Sequence, residues 1–142
     1  MAVRLLSQKQ QHMKAIKITY WITTSLVTLS LLMAGMMYFT NPEVAAGFAH
    51  LGFPDYFRKE LGIAKIIGAL VLILPMIPRN VKEWAYAGIG ITFISASIAH
   101  SASGDPSSAV ITPVVQLLIV AVSYWSYARI QAQRTITAVS VS

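Results

Sequence analysis

From Ile18 to Phe39 the chain carries no charged side chain. A hydrocarbon core about 30 Å thick takes about 20 residues of helix to cross, and this run supplies them. Tyr20-Trp21 and Tyr38-Phe39 bracket it, and aromatic pairs of this kind settle at membrane–water interfaces. Thr23, Thr24, Ser25, Thr28 and Ser30 can bond back to carbonyls of their own helix, so they do not break it. A run this long and this apolar predicts a helix whose solvent is lipid.

The rest of the chain agrees. Only 11% of its residues are charged, 56% are hydrophobic, and the mean hydropathy is +0.62. A soluble domain carries about 25% charged residues, so this one could not cover a water-facing surface. Its 142 residues are the length of a single domain. The net charge of +6 does not point to nucleic acid, because the basic residues sit at the edges of apolar runs, where membrane topology uses them. With no cysteine, disulfides, thiolate catalysis and cysteine metal sites are excluded. Walker-type loops, GxGxxG and long internal repeats are also missing.

Residues 1–17 are polar and basic, a short amphipathic helix or a loose tail, with Arg4, Lys9, Lys14 and Lys17. Followed by an apolar run and Val44-Ala45-Ala46, the segment has the outline of a signal peptide. That apolar run is near twenty residues, against the usual roughly 7–15, so a retained cytoplasmic anchor is expected. Asn41-Pro42 stops the first span, which covers 18–39. Val44, Phe48 and Leu51 then share a face at helical spacing, predicting a short helix lying on the membrane or folded over the bundle. Further spans are expected over 58–77, 84–101 and 109–127. The short Arg79–Trp84 connection forces antiparallel neighbours. Pro113 falls in the first turn of the last span, and residues 129–142 form a cytoplasmic tail, frayed beyond Gln133. The fold class is therefore all-α: an integral membrane four-helix bundle with a short extra helix in the first, outer loop.

Four spans put both termini on one side. Arg4, Lys9, Lys14, Lys17, Arg79, Lys82, Arg129 and Arg134 lie there, and Arg58 and Lys59 lie opposite. The positive-inside rule places both termini in the cytoplasm, as in a bacterial inner membrane.

Ionisable groups within a span are costly and mark candidate sites. Lys65 lies roughly 10 Å below the outer boundary by helical rise. His100 ends a stripe of small residues, Gly88, Thr92 and Ala96, that predicts close helix packing. Glu60 and Asp105 stand at the outer rim, and Glu43, His50 and Asp55 in the covering loop. The polar groups thus gather in the outer half, and the inner half has almost none. Lys65 has three readings: snorkelling to the headgroups, pairing internally with Glu60 or His100, or acting on a substrate or proton. Gln116 reads as a polar tie between helices. No HxxxH or HxxE spacing occurs, so no metal site is expected.

The run Leu51-Gly-Phe-Pro-Asp-Tyr56, then Leu61-Gly-Ile-Ala-Lys-Ile-Ile-Gly-Ala69 and Pro75, then Lys82-Glu-Trp-Ala-Tyr-Ala-Gly88 and Ala99-His100 resembles the DoxX-like small membrane proteins. The likeness covers residues 18–128 and implies a four-helix membrane bundle, without implying one activity. Relatives are associated with thiosulfate–quinone oxidoreduction and membrane redox-stress complexes. A distant animal relative looks like an endoplasmic-reticulum chaperone for receptor assembly.

Two functions are expected in order. The first is non-catalytic: a small membrane protein, with the bilayer as its environment, that binds a lipid or a partner protein, or a second copy of itself, within an assembly. The second is a redox subunit or enzyme acting on a quinone-like substrate, with Lys65, His100, Glu60 and Asp105 around the head group. No resident cofactor is evident beyond such a quinone. A carrier or proton path is disfavoured, because a path must cross the polar-poor inner half.

Overall fold

The computed structural model describes residues 1–141. Among the described residues there are five helices and no strand: α1 (Ala2–Thr40), α2 (Pro42–His50), α3 (Asp55–Ile73), α4 (Arg79–Ala102) and α5 (Ser107–Val141). The four long helices close a ring in which α1 packs on α3 and α5, and α4 packs on α5 and α3. The contact between α3 and α4 is the slightest of the four. The short α2 rests on α1 and α3.

The two ends of this ring are distinct. The start of α1 and the end of α5 share a groove, with Lys9, Met13 and Lys17 facing Ile130, Gln133 and Arg134. The α3–α4 turn reaches the same end, where Pro75 and Ile77 stand with Lys17, Tyr127 and Arg134. At the opposite end α2 meets the α4–α5 turn through His50 and Asp105.

Local chemistry sets the helix boundaries. Asn41 caps α2, accepting the Glu43 N–H on its side chain at 2.8 Å, and Pro42 follows where a missing N–H costs nothing. Both α2 and α4 end on a glycine in the left-handed region, Gly52 at φ 81° and Gly104 at φ 72°. In α2 the Phe53 N–H reaches Phe48 O and the Gly52 N–H reaches Ala49 O. Asp105 and Gly104 repeat the pattern onto His100 and Ser101. This double closure satisfies carbonyls that a helix end leaves orphaned, and it needs a residue without Cβ.

Several boundaries differ from the sequence expectation. The basic segment 1–17 is the first part of α1, continuous with the apolar run. α5 is helical past Gln133, to Val141. α3 stops at Ile73, short of Ile77, and α4 already begins at Arg79, so Lys82 is helical. Pro113 lies past the first turn of α5 and inside the helix, so it has no N–H for the carbonyl four residues earlier. One residue on from that carbonyl, Ser97 of α4 donates its hydroxyl to Val110 O at 3.2 Å.

The core is thin and partly polar. Val27, Leu31, Ala69 and Leu72 are fully buried or nearly so. Beside them Thr24 and Ser123 share a hydrogen bond of 2.7 Å, and the Tyr86 hydroxyl meets the same Ser123 oxygen at 2.7 Å. Lys82 is buried and donates to Leu72 O at 2.7 Å, closing an orphan carbonyl at the end of α3. The terminus-bearing half is thus not polar-poor. Its Thr24, Ser123 and Tyr86 side chains bond one another, which their separation in sequence concealed.

Two helices, α1 and α5, are long and apolar enough to cross a membrane by length and composition, with mean hydropathies of 1.6 and 1.8 over their most apolar stretches. Large apolar side chains are exposed on all four long helices, among them Leu26 and Met33, Ile63 and Ile67, Ile91 and Ile98, Val115 and Leu118.

Candidate functional site

Where α3 and α4 stand apart, the ring encloses a cavity of about 460 Å³. A volume of roughly 300–1,000 Å³ with apolar walls and few polar groups is typical of ligand sites. Its floor is made by Ser30, Leu31, Ala34 and Tyr38 of α1, and by Leu61 and Lys65 of α3. Thr92, Phe93, Ala96 and His100 of α4 form one wall, and Thr112, Pro113 and Gln116 of α5 another. Phe48, Leu51 and Phe53 cover it from α2 and the following loop.

The stripe Gly88, Thr92, Ala96 and His100 therefore does not pack tightly against a neighbouring helix as expected. A Cβ on Gly88 would meet nothing within 4 Å, and Thr92, Ala96 and His100 line the cavity. Small side chains make room here. Close packing occurs instead between α1 and α3. A Cβ on Gly35 would stand 2.7 Å from Ile66 Cγ1 and 3.1 Å from Gly62 O, and one on Gly62 would stand 2.8 Å from the Phe39 ring. Gly62 and Gly68 thus serve the helix contacts of α3, with α1 and with Ile89 of α4 respectively.

Lys65 is 7% exposed. Its Nζ lies 5.4 Å from the centre of the Tyr38 ring and 5.1 Å from that of Phe93. Such ring faces attract a cation, by about 0.5–2 kcal/mol. Among the described residues Lys65 makes no hydrogen bond and no ion pair. The expected pairing with Glu60 or His100 is not formed. Glu60 faces outward and is exposed, because five residues of helix turn it about 140° away from Lys65. His100 shares the cavity with Lys65 but is already engaged with Asp105.

That engagement joins three residues. The Asp105 carboxylate accepts from His100 Nδ1 at 2.6 Å and from His50 Nε2 at 2.8 Å. An ionised carboxylate can only accept, so both rings donate. Gly104 turns the chain to aim Asp105 at both rings. The link ties α2, which covers the cavity, to the α4–α5 turn. His50 and the rings of Tyr38 and Phe93 were not singled out as site residues by sequence reasoning. Tyr38 reads as an interface anchor, and nothing local to Phe93 marks it.

Hydrogen bonds from His100 and then His50 hold the Asp105 carboxyl below its ordinary range. A depressed carboxyl adds stability above its unfolded value, about pH 4, and loses it as pH falls through the folded value. The α2 cover should therefore loosen in acid below about pH 4. Asp55, held low by Lys59 and then Arg58 at the start of α3, adds to the same trend. Comparison with Asp105→Asn isolates the Asp105 share: amide exchange across residues 43–50 should be fast at neutral pH in that variant and no longer rise specifically in acid.

Elsewhere Arg58 is buried and donates to Tyr38 O and to Asp55, which anchors the start of α3 to the end of α1. Ser30 donates to Gln116 Oε1 at 3.3 Å, so Gln116 does tie α5 to α1. Among the described residues no group of three or more His, Asp or Glu side chains is arranged to hold a metal ion.

The family model described as the DoxX-like family matches residues 22–123. The matched stretch contains the cavity's helical walls, Lys65, His100 and Asp105. No curated protein and no solved structure matches the chain.

Proposed function

The chain belongs to the DoxX-like family, and from that premise we propose that it is an integral membrane protein of four spans that holds a lipophilic ligand between its helices without transforming it, as part of a membrane assembly. The apolar side chains exposed on all four long helices support the spans, since a monomer in water rarely exposes apolar patches larger than a few hundred Å². Arg4, Lys9, Lys14, Lys17, Arg79 and Arg134 belong to the end that carries both termini, which supports a cytoplasmic position for that end in a bacterial inner membrane.

One observation carries the binding role: a cavity of about 460 Å³ whose wall includes a buried lysine with no acceptor. Among the described residues no Ser or Thr hydroxyl is bonded to His100, whose Nδ1 is held by Asp105. The aromatic wall also favours a second reading, a flat quinone head stacked between rings with its carbonyl on Lys65, in a redox subunit.

Protein extracted from its own membrane in mild detergent and then extracted with organic solvent should release one lipophilic species in near-stoichiometric amount. Lys65→Met should release far less while keeping its helical content. A wild-type protein that comes off clean would sink the binding role. Quinone-dependent turnover that vanishes with Lys65 would establish the second reading over the first.

A further inference from the structure

On the far side of the α3–α4 gap runs a second depression of about 480 Å³. It shares Leu31, Leu61, Lys65 and Thr92 with the cavity. From that junction it continues along Gly68, Val71 and Gly88 to Trp84. Its lining is apolar apart from the shared Lys65 and Thr92. It lies open on the outer face of the two helices, where Ile67 and Trp84 are exposed. Lys65 thus stands where a polar-flecked chamber meets an apolar channel that opens sideways.

The hydroxyls at this junction commit their protons to their own helices or to Gln116. Thr92 and Thr112 give their hydroxyl protons to Gly88 O and Ser108 O. Ser30 gives its own to Val27 O and Gln116 Oε1. No carboxylate lines either space. The Lys65 ammonium has up to three N–H donors, and among the described residues none meets an acceptor. A buried cationic donor set left so is costly unless an anion completes it.

Building on the ligand-holding role above, we propose that the ligand is a single-chain anionic amphiphile. Its carboxylate or phosphate head accepts from Lys65 Nζ in the cavity, and its hydrocarbon chain lies in the α3–α4 groove. The head group needs the polar-flecked chamber and the chain needs the apolar channel. Lys65 is the one side chain of opposite charge shared by both. Gly68 and Gly88 line the channel, and the absence of a side chain at Gly88 keeps its floor clear. Entry is lateral, from the bilayer, between the two neighbouring long helices with the slightest contact.

The test is binding of oleate, oleoyl lysophosphatidate and oleyl alcohol to delipidated full-length protein in nanodiscs, read by native mass spectrometry. The three share one chain and differ in head. At least one anion should bind about tenfold or more tightly than the alcohol, as a charge-assisted hydrogen bond implies. The better anion names the source of the head. Lys65→Met should bring the anions down to the level of the alcohol. Gly88→Leu, whose added side chain projects into open space, should weaken all three by about tenfold or more and leave the preference intact. Equal binding of all three by the wild type overturns the anionic head and leaves the ligand-holding role standing. A preference that survives Lys65→Met overturns the assignment to Lys65. Wild-type binding untouched by Gly88→Leu overturns the groove. If none of the three binds, the single-chain anionic amphiphile falls, and the ligand-holding role is decided by what the native membrane releases.

Discussion

Gly35→Leu is expected to lower stability by about 3 kcal/mol, at the upper end of the range for overpacking a close contact. The first atom of the new side chain would meet Ile66 Cγ1 at 2.7 Å and the Gly62 carbonyl at 3.1 Å. A flexible chain end can rotate away, but Gly62 O belongs to the backbone of α3. α1 and α3 must therefore separate, and with them the floor of the cavity, to which α1 gives Tyr38 and α3 gives Lys65. The unfolding midpoint in detergent reads this directly. Ile66→Ala in the same chain should restore part of the loss by removing the first clash, leaving the second. Gly88→Leu in delipidated protein is the internal control, since a Cβ there meets nothing within 4 Å, and its stability should fall by less than about 0.5 kcal/mol. Equal losses at Gly35 and Gly88 would mean that α1 and α3 do not approach as described.

The second large effect is expected at Ser123. Its hydroxyl holds both Thr24 of α1 and Tyr86 of α4, each at 2.7 Å, and it is fully buried. Ser123→Val removes both bonds and sets a methyl group against the Thr24 and Tyr86 hydroxyls, which among the described residues keep only one another and Tyr20 in reach. An unsatisfied buried group costs about 1–3 kcal/mol in water-soluble proteins, whereas interhelical hydrogen bonds in lipid average about 0.6 kcal/mol. A loss of about 2 kcal/mol is expected, since the wider side chain also crowds a fully buried site. Tyr86→Phe removes one bond only and should cost about 0.6 kcal/mol. Equilibrium unfolding of the two variants, with the double variant, reads the coupling. If Tyr86→Phe costs as much as Ser123→Val, the knot is held by Tyr86 and not by the serine.

These two sites show what sequence reading finds and misses. Lys65 was conspicuous, being a charge within an apolar run, and so was its place near the end that carries α2. Gly35 was not, because a glycine in an apolar helix has no local mark of the neighbour it admits. Ser123 and Thr24 are 99 residues apart and Tyr86 is 37 from Ser123. Each is an ordinary small or aromatic residue in a long helix, and only the folded ring brings the three to one point. The small-residue stripe on α4 was legible as a pattern, but its purpose was not. Spacing of four says that residues share a face. It does not say whether a helix or a space lies opposite.

Composition and the periodic apolar runs determined by themselves that the fold is all-helical and where the apolar part of each long helix lies, but not how far α1 and α5 run beyond it. They did so because a helix that crosses a membrane needs an unbroken apolar stretch, and because Asn41-Pro42 marks an end through backbone chemistry that neighbours cannot override. What surrounds Lys65 was decided only in three dimensions. Helical rotation turns Glu60 away from it, the α4–α5 turn draws His100 to Asp105, and α1 and α4 bring up the Tyr38 and Phe93 rings. A charge in an apolar segment is visible in one dimension; its partner, or the lack of one, depends on which helices stand beside it and how each is turned.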